Sequence, residues 1–302
     1  MHDQLGRLDY DVVDVFTDRA YAGNPLAVVH GAGGLTPSQL QALAREFNLS
    51  ETTFPTLRSE AAYDVRIFTP DTEIPFAGHP SVGTAWLLRR RGELGGAGEL
   101  DLAEVVQHCG AGEVPVCVRE KGAELTATPR HVRRRDDAET LAAAVGLAAG
   151  DVAGGAHEAS CGLAWTLLRV RAGAVARSRP TPPGWLPESS GPDPMGGLAV
   201  VGVTGQGEAC AVHARVYFPS GAVVVEDPAT GSAAAALGVV LAADGTAGTE
   251  GSMAYTISQG AEMGRPSTLS CRVDVEAGVA QRVHVGGGVV PVASGRIAVP
   301  PG

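Results

Sequence analysis

The sequence predicts an α+β fold of two similar halves, each wrapping a barrel-like β-sheet around one central helix. Three observations predict it. An internal repeat sets Arg66-Ile67-Phe68-Thr69-Pro70 about 150 residues ahead of Arg215-Val216-Tyr217-Phe218-Pro219, and each run leads to a glycine that opens a helix, Gly78 and Gly231. The segment from Ser232 to Ala242 is almost wholly Ala, Val, Leu and Gly. A helix apolar on every face must be buried on every face. Between the helical segments, short runs alternate apolar and polar residues, the period of half-buried strands.

The elements follow in order. Tyr10 to Phe16 reads as a strand, Asn24-Pro25 as a turn, and Leu26 to Val29 as the next strand. A helix then opens with Thr36 as N-cap, Pro37 at its first position and Gln39 completing a capping box. Leu40, Leu43, Ala44 and Phe47 form its apolar stripe, and Asn48 suits a left-handed exit. Ser50 and Glu51 fall in the loop before a strand from Thr52 to Leu57. A second helix runs from Pro80 to Arg91 with His79 as N-cap; Arg89, Arg90 and Arg91 suit its negative end, and Gly92 stops it. Strands resume over 98–128, a weaker helix spans Thr140 to Leu147, and 172–197 reads as an irregular Pro/Gly-rich excursion. Strands return from Leu198, before the helix of Ser232 to Ala242. Within the repeat Gly78 matches Gly231 and Leu87-Leu88 matches Val240-Leu241, with a fainter echo of Gly23 to Val29 in Gly162 to Leu168. The expected domains are 1–129, with 288–302 as a candidate completing strand, and 130–287.

Composition narrows the function. The 302 residues are 44% hydrophobic and 19% charged, values of a folded globular chain. A net charge of -10 argues against nucleic acid or an acidic membrane as partner. Lys121 is the single lysine, which reads as codon usage rather than chemistry. Arg133-Arg134-Arg135 before Asp136-Asp137 reads as a solvated, partly self-paired loop. Five cysteines, an odd number with no CxxC pair, speak against disulfides and zinc and for a reducing compartment. The first eight residues lack a basic-then-apolar signal pattern, and the longest apolar run, Ala233 to Ala243, is too short to span a bilayer. The expectation is a soluble, cytoplasmic protein.

Two similar halves make a cleft where they meet, and ligand sites favour such places. If the helix starts at Gly78-His79 and Gly231-Ser232 both face it, their free N–H groups and positive dipole ends form a site for a substrate carboxylate or a developing enolate. Each residue also has an ordinary structural role open to it. Glu51 is a loop carboxylate, His79 a cap, Asp227 a turn opener before Pro228, and Glu73 a structural partner. Gly286-Gly287-Gly288 lacks the strand-then-helix setting of a nucleotide loop and reads as a flexible bend or bulge. His2, His131 and His284 are scattered and receive no role.

The ordered set Gly23 to Val29, Leu49-Ser50-Glu51-Thr52-Thr53-Phe54, Arg66 to Pro70, Glu73 to Pro80, Glu226 to Ala233 and Gln259-Gly260 through Gly264-Arg265-Pro266 resembles the phenazine-biosynthesis-protein-F-like family. It is colinear over residues 10–266. The resemblance implies the diaminopimelate-epimerase-like fold, in agreement with the repeat. It implies a cofactor-independent isomerase, with no metal, that moves a proton on a small carboxylate-bearing metabolite, as in trans-2,3-dihydro-3-hydroxyanthranilate isomerisation. It implies catalytic roles for Glu51 as acid/base, His79 and Asp227, and substrate binding by Ser50, Gly78, Gly231 and Ser232. It also implies a homodimer. Racemases of the same broad fold carry a cysteine just before each helix-opening glycine; Ala77 and Thr230 stand there, which excludes a two-thiol mechanism. An epimerase, lyase or cyclase on the same site, or a binding protein that keeps the fold, are the alternatives.

Overall fold

The computed structural model describes residues 6–95, 103–179, 188, 191–205, 210–220 and 223–302. The chain divides into two compact units, Met1–Leu125 with Gly286–Gly302, and Thr126–Val285. Strands dominate, helices are few, and the architecture is an α+β fold rich in barrel-like sheet.

The first unit begins with β1 (Arg7–Val15), β2 (Asn24–Val29), α1 (Pro37–Phe47), β3 (Glu51–Ser59), β4 (Ala62–Phe68) and β5 (Glu73–Ile74). Then come α2 (Gly78–Arg90), β6 (Ala103–Cys109), β7 (Gly112–Arg119) and β8 (Gly122–Ala127). The second unit holds β9 (His131–Arg135), α3 (Ala138–Ala144), β10 (Val152–Ser160), β11 (Ala164–Val170), α4 (Ala172–Val175), β12 (Met195–Thr204) and β13 (Cys210–Ser220). It continues with β14 (Val223–Asp227), α5 (Gly231–Ala243), β15 (Gly251–Gln259) and β16 (Ser267–Glu276), and the chain closes on β17 (Val279–Ala298).

The repeat seen in the sequence is a repeat of strand pairing. In the first unit β1–β2 is antiparallel, β2–β3 parallel, β3–β4 antiparallel, β4–β6 parallel and β6–β7 antiparallel. In the second, β10–β11, β11–β12, β12–β13, β13–β15 and β15–β16 follow the same succession. The short β5 and β14 pair antiparallel with β4 and β13 and lead into α2 and α5. In the first unit β8 also pairs with β17, and β17 with β1, so the sheet returns on itself. Closure removes the open edges that would otherwise invite aggregation.

Both central helices are sequestered, for different chemical reasons. α5 is buried from Gly231 to Ala242 except at Ser232, as its all-apolar composition demands. α2 is buried from Gly78 to Arg89 although it carries His79, Ser81, Thr84 and Arg89. Buried polar groups need partners, and each of these residues has at least one. Thr84 shares a 2.9 Å hydrogen bond with Thr53, and Arg89 donates to the Leu94 carbonyl at 2.9 Å. A chain of donors runs from Tyr63 Oη to Gln107 Oε1 (3.0 Å), from Gln107 Nε2 to Ser81 Oγ (2.8 Å), and from Ser81 Oγ to the Ala77 carbonyl (2.9 Å).

α1 forms as the sequence specifies. Thr36 Oγ1 accepts from the Gln39 amide, Gln39 Oε1 accepts from the Thr36 amide at 3.0 Å, and Asn48 leaves in the left-handed conformation at φ 50°. Several other expectations are corrected. Asn24 and Pro25 lie inside β2, not in a turn; Pro25 sits where β2 has not yet met β3, so its missing N–H costs no ladder bond there. Glu51 opens β3 instead of ending a loop. The weak third helix runs over Ala138–Ala144. Part of the 172–197 excursion is regular, as α4 and the start of β12, while 180–187 and 189–190 lie outside the described residues, as do 98–102 of the resumed strands.

Arg133-Arg134-Arg135 is solvated at Arg133 and Arg134, as expected, but it is not a loop. It forms β9, and its register against β10 sets Arg133 opposite Glu158. Side chains alternate along a strand, so His131, Arg133 and Arg135 share one face. Glu158 is 0% exposed and takes Arg133 at 3.1 Å, Arg135 at 3.4 Å and His131 at 3.2 Å. Only Arg135 with Asp137, at 2.7 Å, pairs within the run.

Candidate active site

Each unit assembles one group of the sequence-predicted residues at the start of its central helix. In the first unit, α1 ends on left-handed Asn48, the chain passes Ser50, and Glu51 enters β3 opposite Leu26 of β2. α2 begins nearby at Gly78. His79 is therefore its second residue and not its cap. Ala77 is the cap residue, with extended backbone, and its carbonyl receives the Ser81 amide. Pro80 is the third helical residue, still within the turn whose N–H groups have no helical acceptor, so it breaks nothing.

This placement turns the His79 ring towards Glu51. Nε2 lies 3.3 Å from Glu51 Oε2, with side-chain exposures of 4% and 16%. Burial pushes the His79 pKa down to about 3, against a smaller opposing effect of its hydrogen bond to the Pro25 carbonyl. The imidazole is therefore neutral at physiological pH. Nε2 makes no hydrogen bond of its own, so Nδ1 carries the proton given to Pro25, and Nε2 presents a lone pair to the Glu51 carboxyl group.

In the second unit β14 delivers Asp227, which is buried. Thr230 Oγ1 donates to Asp227 Oδ2 at 2.5 Å. Gln259 at the end of β15 fixes this turn: its Nε2 donates to the Asp227 carbonyl at 2.8 Å and to Thr230 Oγ1 at 3.0 Å, and its Oε1 accepts from the Thr230 amide at 3.2 Å. Ser232, half-buried in the first turn of α5, accepts from Trp165 Nε1 at 3.1 Å. Sequence reasoning missed Gln259 as an anchor and Trp165 as a donor; Gln259 was visible only as part of a motif, and Trp165 carried no signal beyond the faint echo of 162–168.

α1 has its first turn capped by side chains, whereas neither Ala77 of α2 nor Thr230 of α5 makes a side-chain cap bond. At both of these helix starts the dipole favours an anion. Glu73 takes both guanidinium nitrogens of Arg66, at 2.8 and 2.6 Å, and is a structural partner. Glu226 does the same for Arg215 in the second unit, again at 2.8 and 2.6 Å. Ala77 and Thr230 offer no thiol, and burial pushes the Cys161 thiol up to about 12, away from thiolate chemistry. His131 and His284, given no role by the sequence, hold carboxylates: His131 binds Glu158, and His284 lies 3.0 Å from Asp274. No group of three His, Cys, Asp or Glu among the described residues is arranged to hold a metal ion, and no helix among them is long and apolar enough to cross a membrane.

The family model for phenazine biosynthesis-like proteins matches residues 13–295. The chain belongs to this family. Within it, an uncharacterized isomerase of Mesorhizobium japonicum is 37% identical over 305 residues, covering 96% of this chain and 98% of its own. The trans-2,3-dihydro-3-hydroxyanthranilate isomerase of Pseudomonas aeruginosa is 32% identical over 302 residues, covering 95% and 98%. Among solved structures, a predicted epimerase from Pseudomonas aeruginosa superposes with a TM-score of 0.77 at 28% identity, covering 96% of this chain and 99% of its own. A hydroxyproline epimerase of Agrobacterium vitis, at 14% identity, shares the fold with a TM-score of 0.63, covering 97% and 93%. This family member is an enzyme of the isomerase kind, on the fold that racemases and epimerases also use.

Proposed function

We propose that the enzyme isomerises a small carboxylate-bearing metabolite by acid/base proton transfer, without metal or organic cofactor, and that Glu51 is the residue that moves the proton. The observation that carries this is the 3.3 Å contact between Glu51 Oε2 and the bare nitrogen of a buried, neutral His79. As a carboxylate, Glu51 faces a repelling lone pair. Once it has taken a proton from a substrate carbon, its O–H can donate to that lone pair. The pair can thus hold the proton away from water until it returns to another carbon on the same face. The uncapped first-turn amides of α2, at Gly78 and His79, supply donors for a substrate carboxylate or for charge that builds during transfer. Ser50, which precedes Glu51, is assigned to the same half-site. In the second unit, Asp227 held by Thr230 and Gln259, the amide of Gly231 and the Ser232 hydroxyl are assigned to substrate hydroxyl, amine or carboxylate groups.

The first compound to assay is trans-2,3-dihydro-3-hydroxyanthranilate, because a relative covering nearly the whole chain at 32% identity is named for it. Glu51→Gln keeps the shape and lets an amide N–H donate to His79 Nε2, so the fold should stand. Turnover should drop roughly 10²–10⁴-fold, the usual worth of an acid/base group. With deuterium at the migrating position, the wild-type enzyme should carry part of the label into product. Unchanged turnover in Glu51→Gln refutes the assignment; a chelator that abolishes turnover refutes the metal-free chemistry.

A further inference from the structure

We propose a second binding site in the first unit, at the opposite end of α2 from Glu51 and His79, for a hydroxyl-bearing phosphate ester of sugar-phosphate or nucleotide type. A cavity of about 590 Å³ opens there, within the range of small-molecule sites. Arg90 is eleven residues beyond His79, which sets the two ends of the helix roughly 16 Å apart at 1.5 Å per residue.

The walls are tied together by backbone hydrogen bonds. Phe16 and Thr17 amides donate to the Gly288 carbonyl at 2.8 and 3.2 Å, and the Val289 amide donates to the Lys121 carbonyl at 2.9 Å. A Cβ on Gly122 would overlap the Gly287 carbonyl, and one on Gly288 would overlap that of Thr17, so these glycines are needed for close backbone approach. Gly286-Gly287-Gly288 is therefore a tightly packed part of β17 and not a flexible bend. Trp86 forms part of the wall, its indole tied to the Glu120 carbonyl at 3.0 Å.

The lining is basic in a chain whose net charge is -10. Arg89, Arg90, Arg119 and Lys121 face Asp18 and Glu120. Arg89 is already committed to the Leu94 carbonyl. Arg90 lies over the Trp86 ring at 5.3 Å, and Arg90, Arg119 and Lys121 form no ion pair among the described residues. Three exposed cations around one concavity, held without carboxylate partners, suit a phosphate group, which offers several acceptor oxygens and close to two charges. They must also outweigh the negative end of the α2 dipole, which a single cation would not do. Asp18 and Glu120 on the same lining accept hydroxyl groups, which selects an ester carrying hydroxyls over inorganic phosphate.

The chain's single lysine makes the test direct. The full-length protein is titrated calorimetrically with ribose 5-phosphate and adenosine 5′-monophosphate, with ribose and inorganic phosphate as controls. Lys121 acetylation by an amine-reactive ester is followed in parallel by peptide mass mapping. One ester should bind at one per chain, at least tenfold more tightly than either control, and should slow acetylation of Lys121 but not of the α-amino group. The double variant R119Q/K121Q should lose roughly 10²- to 10⁴-fold in affinity, as expected for two charge-assisted hydrogen bonds, with an unchanged melting temperature. Absence of binding by both esters at millimolar concentration, binding unchanged in R119Q/K121Q, or inorganic phosphate binding as tightly as the esters would each overturn the proposal.

Discussion

The charge on His79 decides what Glu51 faces at 3.3 Å, and acid stability reads that charge. In the fold the imidazole pKa is pushed down to about 3; in an unfolded chain it is about 6.5. Between those values the unfolded chain binds a proton that the folded protein refuses. The contribution of neutral His79 is thus fully present above about pH 6.5 and is lost as pH falls, by about 1.4 kcal/mol per unit. At pH 4.5 the loss is about 3 kcal/mol, and it reaches about 5 kcal/mol near pH 3. His79→Asn removes the titrating group while its amide can still donate to the Pro25 carbonyl. The variant should start less stable at neutral pH, because it leaves a small void beside Glu51. Its further loss between pH 7.5 and 4.5 should be about 2–3 kcal/mol smaller than that of the wild type. Urea unfolding at both pH values, followed by circular dichroism, measures the difference. Equal acid losses in the two proteins would refute a neutral His79. A protonated His79 paired with ionised Glu51 has the opposite sign: its stabilisation would be complete at low pH and vanish as pH rises, so the variant would suffer more in acid.

Two bidentate Arg–Glu pairs at equivalent points of the repeat separate burial from geometry. Arg215→Ala should cost about 3–5 kcal/mol, because both Arg215 and Glu226 are buried or nearly so, whereas Arg66→Ala should cost about 0–1 kcal/mol at its more exposed pair with Glu73; thermal unfolding of the two variants compares them directly. Thiol alkylation should leave turnover largely intact, since Ala77 and Thr230 stand at the helix starts and the Cys161 thiol is held un-ionised by burial. Rapid inactivation that substrate prevents would show a cysteine working in the site.

Much of this architecture was legible because its signals are local. Thr36, Pro37 and Gln39 specify a helix start through hydrogen bonds within four residues, and that start is found. The all-apolar run of α5 can exist only inside a sheet. The repeat of Arg66 to Pro70 in Arg215 to Pro219 carried the duplication, which appears as the same succession of parallel and antiparallel pairs. One error was local, and another came from a distant partner. His79 looks like a cap because proline follows it, but the Ser81 amide bonds to Ala77 and draws the helix start back. The arginine run of β9 looks like a loop because its partner, Glu158, lies 25 residues away from Arg133.

The sequence by itself determined the α+β class, the duplication, the two buried central helices and the family, since these rest on periodicity, composition and ordered motifs. It also named Glu51, His79, Asp227 and Ser232 as candidates. The tertiary structure alone decided their states. That the His79 ring is neutral follows from burial in α2, which outweighs the opposing hydrogen bond to a carbonyl on β2, and that Asp227 is held by Thr230 follows from Gln259 on β15. Lys121 shows the same division: in the sequence it is one lysine among many arginines, and in the fold it lines a basic cavity with Arg90 and Arg119. Charge and protonation depend on what surrounds a group in space, and residues far apart in the chain supply those surroundings.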